Sequence, residues 1–167
     1  AGHGRIHSRM CVSLAEAGYA VTYLAHPAAT DRLDPRIGFT SLGERGQVSL
    51  AWRLGDRLRR CLRAYQLALR SGADLFHFYA PEFIPWALRL RRVTRRPVIF
   101  DCMEDFEGYA LQRRGLPQAA RRPLALGVRT MLHHAARNLD AVVVADIGTG
   151  DLLRPAARRV ELLHNFP

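Results

Sequence analysis

The sequence predicts an α/β domain with a doubly wound, mostly parallel sheet and helices on both faces. Short apolar segments rich in β-branched and aromatic residues alternate with longer segments of helical periodicity. That alternation is typical of βαβ units, whose strands lie parallel. The clearest strand runs from Val98 to Cys102 and is followed by the acids Glu104 and Asp105. A nearly continuous apolar run of this kind indicates a buried strand.

Length and composition restrict the class of protein. The 167 residues, 49% of them hydrophobic, fit one domain with a sizeable core. No apolar run approaches the about 20 residues of a membrane-spanning helix, and no signal-peptide pattern opens the chain. Cys11, Cys61 and Cys102 lie in apolar patterns and form no C-x-x-C pair. We therefore expect reduced core cysteines in a cytoplasmic protein.

The charge is strongly positive. The formal net charge is +10, and all 25 basic residues other than His are Arg. Such an excess of base over acid favours an anionic partner, such as a membrane surface or a phosphorylated substrate. The basic residues are not interleaved with aromatic residues, and no nucleic-acid-binding motif is present, so we expect no nucleic-acid partner.

A glycine-rich turn, Gly2-His3-Gly4, opens the first predicted helix, and Gly18 ends it. A turn of this kind normally follows a strand. We therefore expect that a first strand of about 5–6 residues is missing upstream. Free backbone N–H groups at such a helix start favour a phosphate or carboxylate, to which Arg5 adds a charged contact. A purely structural turn explains the same residues equally well.

The other elements follow in chain order. Strands are predicted at residues 19–25, 39–42, 75–79, 141–145 and 160–163. Helices are predicted at residues 47–71, 81–90, 118–138 and 147–153, and residues 106–117 are predicted to be irregular. The pattern contains no repeat and no internal linker, so residues 1–167 are expected to form one domain.

Five segments carry a family resemblance when they are taken in order. They are Arg5-Ile6 after the glycine turn, residues 14–21, residues 74–82, residues 97–105 and the final Asn165-Phe166-Pro167. Together they resemble the amino-terminal domain of bacterial family 4 glycosyltransferases, which have the GT-B fold. The resemblance covers essentially the whole chain.

The resemblance implies two Rossmann-like domains that face each other across a cleft. The amino-terminal domain, residues 1–167 here, would bind the acceptor, which is a glycan, a lipid-linked sugar or a small molecule. The carboxyl-terminal domain, absent from this sequence, would bind the nucleotide-sugar donor. The anomeric configuration would be retained, and neither a metal nor a cofactor is implied. The 167 residues alone are therefore expected to be inactive.

Met103 departs from the pattern of the family. There the buried strand is typically followed by Asp-x-His-Glu, whose His reaches the donor sugar, and Met103 stands at the position of that His. Met forms no strong hydrogen bond with a sugar hydroxyl. Tyr79 likewise stands where a second His is common. Catalytic residues are therefore left unassigned, with Glu104 as a candidate, and a non-catalytic glycosyltransferase-like partner protein is the alternative.

The candidate substrate-binding residues follow predicted strands or open predicted helices. Glu104 is the acid that we expect to face the cleft, whereas Asp101 is expected to fix the loop through backbone N–H groups. His77 could contact a ligand, or it could be a core residue whose hydrogen bonds are satisfied within the protein. Glu82 suits a first helical turn in any case. The whole set comprises Gly2, His3, Gly4, Arg5, His77, Glu82, Asp101 and Glu104.

The sequence contains two further candidate sites, one for a metal ion and one for a membrane surface. His3 and His7 stand four residues apart, but no further ligand motif accompanies them, so no metal site is expected. Arg57, Arg60 and Arg63 lie on one predicted amphipathic helix. A basic amphipathic face suits peripheral docking to an anionic membrane, and it also suits an ordinary solvated surface.

Overall fold

The computed structural model of the protein describes residues 6–25, 34–43 and 50–164. Within these ranges the chain is α/β and every strand pairing is parallel, which confirms the predicted fold class. The arrangement is consistent with a Rossmann-like, doubly wound fold. Contacts divide the chain into two compact units, Ala1–Ala64 and Tyr65–Pro167. That residues 1–167 form a single domain stays a prediction.

The first unit contains a short two-stranded sheet. Its elements are a π-helical turn Ile6–Cys11, α1 (Val12–Glu16), β1 (Thr22–Ala25), β2 (Gly38–Ser41) and the first part of α2 (Leu50–Ser71). Gly18 ends the first helical segment as predicted. It has a φ of 89°, and the N–H groups of Gly18 and Tyr19 donate to the carbonyls of Ala15 and Leu14. This is the hydrogen-bond pattern of a glycine C-cap.

The second unit contains a four-stranded sheet in the order β3-β4-β5-β6. Its strands are β3 (Phe76–Phe78), β4 (Val98–Cys102), β5 (Ala141–Val144) and β6 (Val160–Leu162). Its helices after α2 are α3 (Ile84–Thr94), α4 (Phe106–Leu111), α5 (Gln118–Asn138) and α6 (Ile147–Leu153), and a 3₁₀ turn, Pro81–Phe83, precedes α3. The bounds of α5 and α6 match the sequence prediction, whereas most strands are one or a few residues shorter than predicted.

Strand β4 lies inside the sheet and supplies much of the core. It pairs with β3 on one side and with β5 on the other. Val98, Phe100 and Cys102 are completely buried. Phe100 stacks on Phe78 at 5.1 Å between ring centroids, and Phe78 meets Phe83 edge-on at 5.4 Å. This aromatic cluster fixes the start of α3 against one face of the sheet.

The prediction that residues 106–117 are irregular is wrong for their first half, which forms helix α4. The helix begins at Phe106 because Asp105 caps it: the carboxylate accepts a hydrogen bond of 2.8 Å from the Gly108 N–H. Ala110 is buried, and together with Phe106 and Tyr109 it has the spacing of one helix face. Residues 112–117 are irregular as predicted.

A charged contact anchors the amino ends of β4 and β5. Asp140, directly before β5, accepts two hydrogen bonds of 2.8 Å from the Arg91 guanidinium near the end of α3. The same carboxylate accepts the Val98 N–H at 2.9 Å. These hydrogen bonds with Arg91 hold the pKa of Asp140 below its ordinary value of 3.8, and the bond from Val98 adds to the effect.

We predict that Asp140→Asn lowers the free energy of unfolding by about 1–2 kcal/mol at neutral pH, because it removes a charge-assisted pair that is only partly exposed. A carboxyl with a lowered pKa contributes its stability above its ordinary pKa and loses it as pH falls through the lowered value. The difference between wild type and variant should therefore shrink in acid. Urea unfolding of wild type and variant, at neutral pH and at acidic pH values, measures this difference in the free energy of unfolding.

Asp151→Asn is the matched control, since Asp151 is 68% exposed and lies 3.8 Å from Arg154. Asp151→Asn should change the free energy of unfolding by close to zero at every pH. Equal losses for the two variants, or a difference for Asp140→Asn that grows in acid, would contradict the assigned role of Asp140.

Candidate functional site

The strand register places His77 and Asp101 on the same face of the four-stranded sheet. His77 of β3 is aligned with Ile99 of β4, and Asp101 lies two residues beyond Ile99. Side chains alternate along a strand, and aligned residues of neighbouring strands share a face. Phe100 and Cys102 therefore point to the opposite face.

The two polar side chains meet near the carboxyl end of β4. The His77 Nε2 lies 3.6 Å from the Asp101 Oδ2. The separation is longer than a hydrogen bond, so the two groups attract each other by charge when the imidazole is protonated. Asp101 is 1% exposed, whereas 24% of the His77 side chain is exposed. Water or a ligand therefore reaches the pair from the His77 side.

The acids and Met103 that follow the strands lie at the carboxyl edge of the sheet. Met103 is half-buried directly after β4, and Glu104 beside it is exposed. Glu82 is exposed in the 3₁₀ turn that follows β3. In open α/β sheets, ligands bind outside the carboxyl ends of the strands. The structure therefore brings the sequence-predicted residues His77, Asp101 and Glu104 to one edge region.

The loop after β4 is fixed by a carboxylate that the sequence analysis did not assign to this task. Asp105 caps α4, as described above. In the next crossover Asp146 does the same for α6, and it accepts from both the N–H and the hydroxyl of Thr149 at 2.8 Å. These bonds hold the pKa of Asp146 below its ordinary value. An acid immediately before a helical apolar pattern is the sequence signal for both caps.

Cys102 lies in an apolar and negatively charged environment. All three cysteines are buried and none of them forms a disulfide, as predicted. Burial raises the pKa of the Cys102 thiol to about 12, and the nearby charges of Asp101, Asp146 and Asp105 add to this effect. Cys102 is therefore a neutral thiol at physiological pH and not a nucleophile.

Two cavities adjoin this edge. The smaller, about 20 Å³, is lined by Cys102, Leu132, Leu153 and other residues, and has room for a single water molecule. It shows that α5 and α6 cover the face of the sheet that carries Cys102. A sugar does not fit there.

The larger cavity, of about 370 Å³, is an open groove that we call the α4–α5 groove. Pro81, after β3, and Phe106, after β4, both line it, so the groove lies beside the carboxyl edge of the sheet. The sequence did not predict this groove, because residues 106–117 were expected to be irregular. Its lining residues are Pro81, Phe106, Tyr109, Ala110, Arg113, Leu124, Val128 and Met131.

Other predicted site residues lie elsewhere or outside the described ranges. Gly2, His3, Gly4 and Arg5 fall outside the described residues, as does the final segment 165–167. On α2, Arg57 and Arg63 are exposed, whereas Arg60 is half-buried and its guanidinium lies 3.0 Å from the carboxylate of Asp56.

Among residues 6–25, 34–43 and 50–164, no three His, Cys, Asp or Glu side chains are grouped as metal ligands. No helix in the described part of the chain has the length and apolar character that crossing a membrane requires. Neither a protein-family model nor a curated protein matches the sequence.

We predict that native Cys102 reacts with iodoacetamide about a thousandfold more slowly than the same residue in denaturant. The reason is that the thiol pKa of about 12, against an ordinary 9.0, leaves far less thiolate at a given pH. Peptide mass spectrometry of samples quenched over time gives the rate for each cysteine. A native rate within about tenfold of the denatured rate would contradict the buried, anionic environment of Cys102.

Proposed function

We propose that this chain is the acceptor-binding domain of a retaining glycosyltransferase. The enzyme would transfer a sugar from a nucleotide-sugar donor to a glycan, a lipid-linked sugar or a small-molecule acceptor. The observation that carries the proposal is the grouping of His77, Asp101 and Glu104 near the carboxyl ends of β3 and β4. Polar side chains at this edge of a parallel sheet are suited to binding sugar hydroxyls beside a second domain. The family resemblance of the sequence supports the same proposal.

Each polar residue has a role under the proposal. Glu104 is exposed, and its carboxylate would accept hydrogen bonds from acceptor hydroxyls. The partly exposed His77 imidazole would contact the same substrate, with the Asp101 carboxylate behind it at 3.6 Å. Hydrogen bonds that orient the reacting hydroxyl contribute to the rate by positioning, which is the main task of an acceptor domain.

Donor binding would depend on a second domain. A nucleotide-sugar reaction develops positive charge on the sugar and negative charge on the leaving diphosphate, and both need stabilisation. Within the described ranges, the acids Glu82 and Glu104 follow β3 and β4, and carboxylates suit sugar hydroxyls but not a diphosphate. The exposed Arg57 and Arg63 would supply a peripheral contact with an anionic membrane at the cytoplasmic face.

Met103 favours a second candidate function, a non-catalytic glycosyltransferase-like protein that binds a partner. Met103 is half-buried at the carboxyl edge, where the resembled family places a sugar-binding His. Its thioether is only a weak hydrogen-bond acceptor. A domain that keeps the fold and loses this contact would retain binding surfaces without transferring a sugar.

We predict that Glu104→Gln lowers kcat/KM for sugar transfer by about 10–100-fold, because a charge-assisted hydrogen bond to the acceptor is lost. The assay uses the natural full-length polypeptide that contains this chain, and follows product with a panel of nucleotide sugars. Glu161→Gln is the control, since Glu161 lies on β6 and pairs with Arg159 at the surface. It should leave kcat/KM unchanged.

The same assay separates the two candidate functions. Sugar transfer that Met103→His accelerates, or that it redirects to another donor, would place residue 103 at the sugar and support the enzyme. No product with any donor, before or after Met103→His, would overturn the glycosyltransferase proposal and leave the partner-binding protein.

A further inference from the structure

We infer that the α4–α5 groove binds the hydrocarbon chain of an anionic amphiphile whose phosphate pairs with Arg113. The inference rests on the proposed function and narrows it: the acceptor is a phosphorylated lipid carrier and not a free sugar. The groove is built entirely from residues of the second unit.

The walls of the groove are apolar on both sides. Helix α4 contributes Phe106, Tyr109 and Ala110, which share one helix face. Helix α5 contributes Leu124, Val128 and Met131, which share another. The two helices pack against each other, and the groove is the space that their facing side chains leave open.

The apolar lining is not covered. Tyr109 is 57% exposed, and Leu124, Val128 and Met131 are only half-buried. Apolar side chains that line an open concave surface gain free energy when a hydrocarbon replaces the water against them. The volume of about 370 Å³ lies within the range of roughly 300–1,000 Å³ found for small-molecule sites.

Charge distinguishes the occupant from an uncharged lipid. Arg113 is the one charged residue among the lining residues, and it is exposed. None of the described residues forms an ion pair with its guanidinium. A guanidinium binds phosphate with two parallel hydrogen bonds, so a phosphate next to a hydrocarbon chain complements the groove.

The position of the groove connects the amphiphile to the proposed chemistry. Pro81 and Phe106 follow β3 and β4, the strands that carry His77 and Asp101. Glu104 is separated from Phe106 by a single residue, and its carbonyl accepts the Phe106 N–H at 2.9 Å. The end of the groove at Phe106 therefore lies next to the polar carboxyl edge.

The test measures binding of dodecyl phosphate, held below its critical micelle concentration, to the 167-residue chain by calorimetry. Arg113→Gln should weaken binding by about 10–100-fold, because a charge-assisted pair is lost. Val128→Trp should abolish binding by filling the groove. Arg114→Gln and Val93→Trp are the controls, since Arg114 and Val93 are exposed outside the groove. Both should bind as wild type does.

Several results would overturn the inference. They are equal binding of uncharged dodecyl maltoside, equal binding of inorganic phosphate alone, and an Arg113→Gln protein that binds as wild type does. The inference also fails if no amphiphile binds, the wild-type chain self-associates, and Val128→Trp removes that self-association. In that case the groove would hold a second copy of the chain. Circular dichroism shows whether each variant is folded. If Val128→Trp does not fold, the binding measured for Arg113→Gln, a substitution at the surface, tests the inference.

Different experimental results would contradict the inference and the proposed function. Binding of dodecyl phosphate without any sugar transfer by the full-length polypeptide contradicts only the function. Sugar transfer to a water-soluble acceptor, with no binding of dodecyl phosphate, contradicts only the inference.

Discussion

The second unit depends on the burial of β4 between two parallel neighbours. The side chains of Val98, Phe100 and Cys102 are fully buried. Strand β4 is hydrogen-bonded along both of its edges, to β3 on one side and to β5 on the other. Its amino end is held by Asp140, which joins α3, β4 and β5 through hydrogen bonds. With that end fixed, the register of β4 determines which side chains reach the carboxyl edge. The geometry of the candidate site therefore follows from the packing of one strand.

That strand also contains Asp101, which is costly to bury. A carboxylate with 1% exposure loses hydration, and nearby groups must compensate for it. His77, at 3.6 Å, supplies one partner of opposite charge when it is protonated. The acid and the imidazole lie near the carboxyl ends of parallel strands, where ligands of open α/β sheets bind. That position is the reason to treat the edge as a site and not as an acidic turn.

The sequence predicted the regular parts of this fold and missed the part that makes the groove. Helices α5 and α6 have clear periodicity and recognisable ends, so their bounds were predicted to the residue. Helix α4 has six residues and includes Gly108, so its periodicity spans too few turns to stand out. The capping residue Asp105 was the signal in the sequence that could have predicted the start of α4. The closeness of His77 and Asp101 depends on the register between β3 and β4, which a sequence pattern does not contain.

The proposed function and the proposed amphiphile together require that the carboxyl edge of the sheet and the α4–α5 groove form one acceptor site. The three methionines provide a direct test, because Met103 lies at the edge, Met131 lines the groove and Met10 lies in the first unit. Methyl NMR of the methionines would follow titration with a dodecyl phosphate that carries one sugar. A single shared site makes the Met103 and Met131 signals shift together with one affinity while the Met10 signal stays constant. A shift of neither, or an equal shift of Met10, would contradict it.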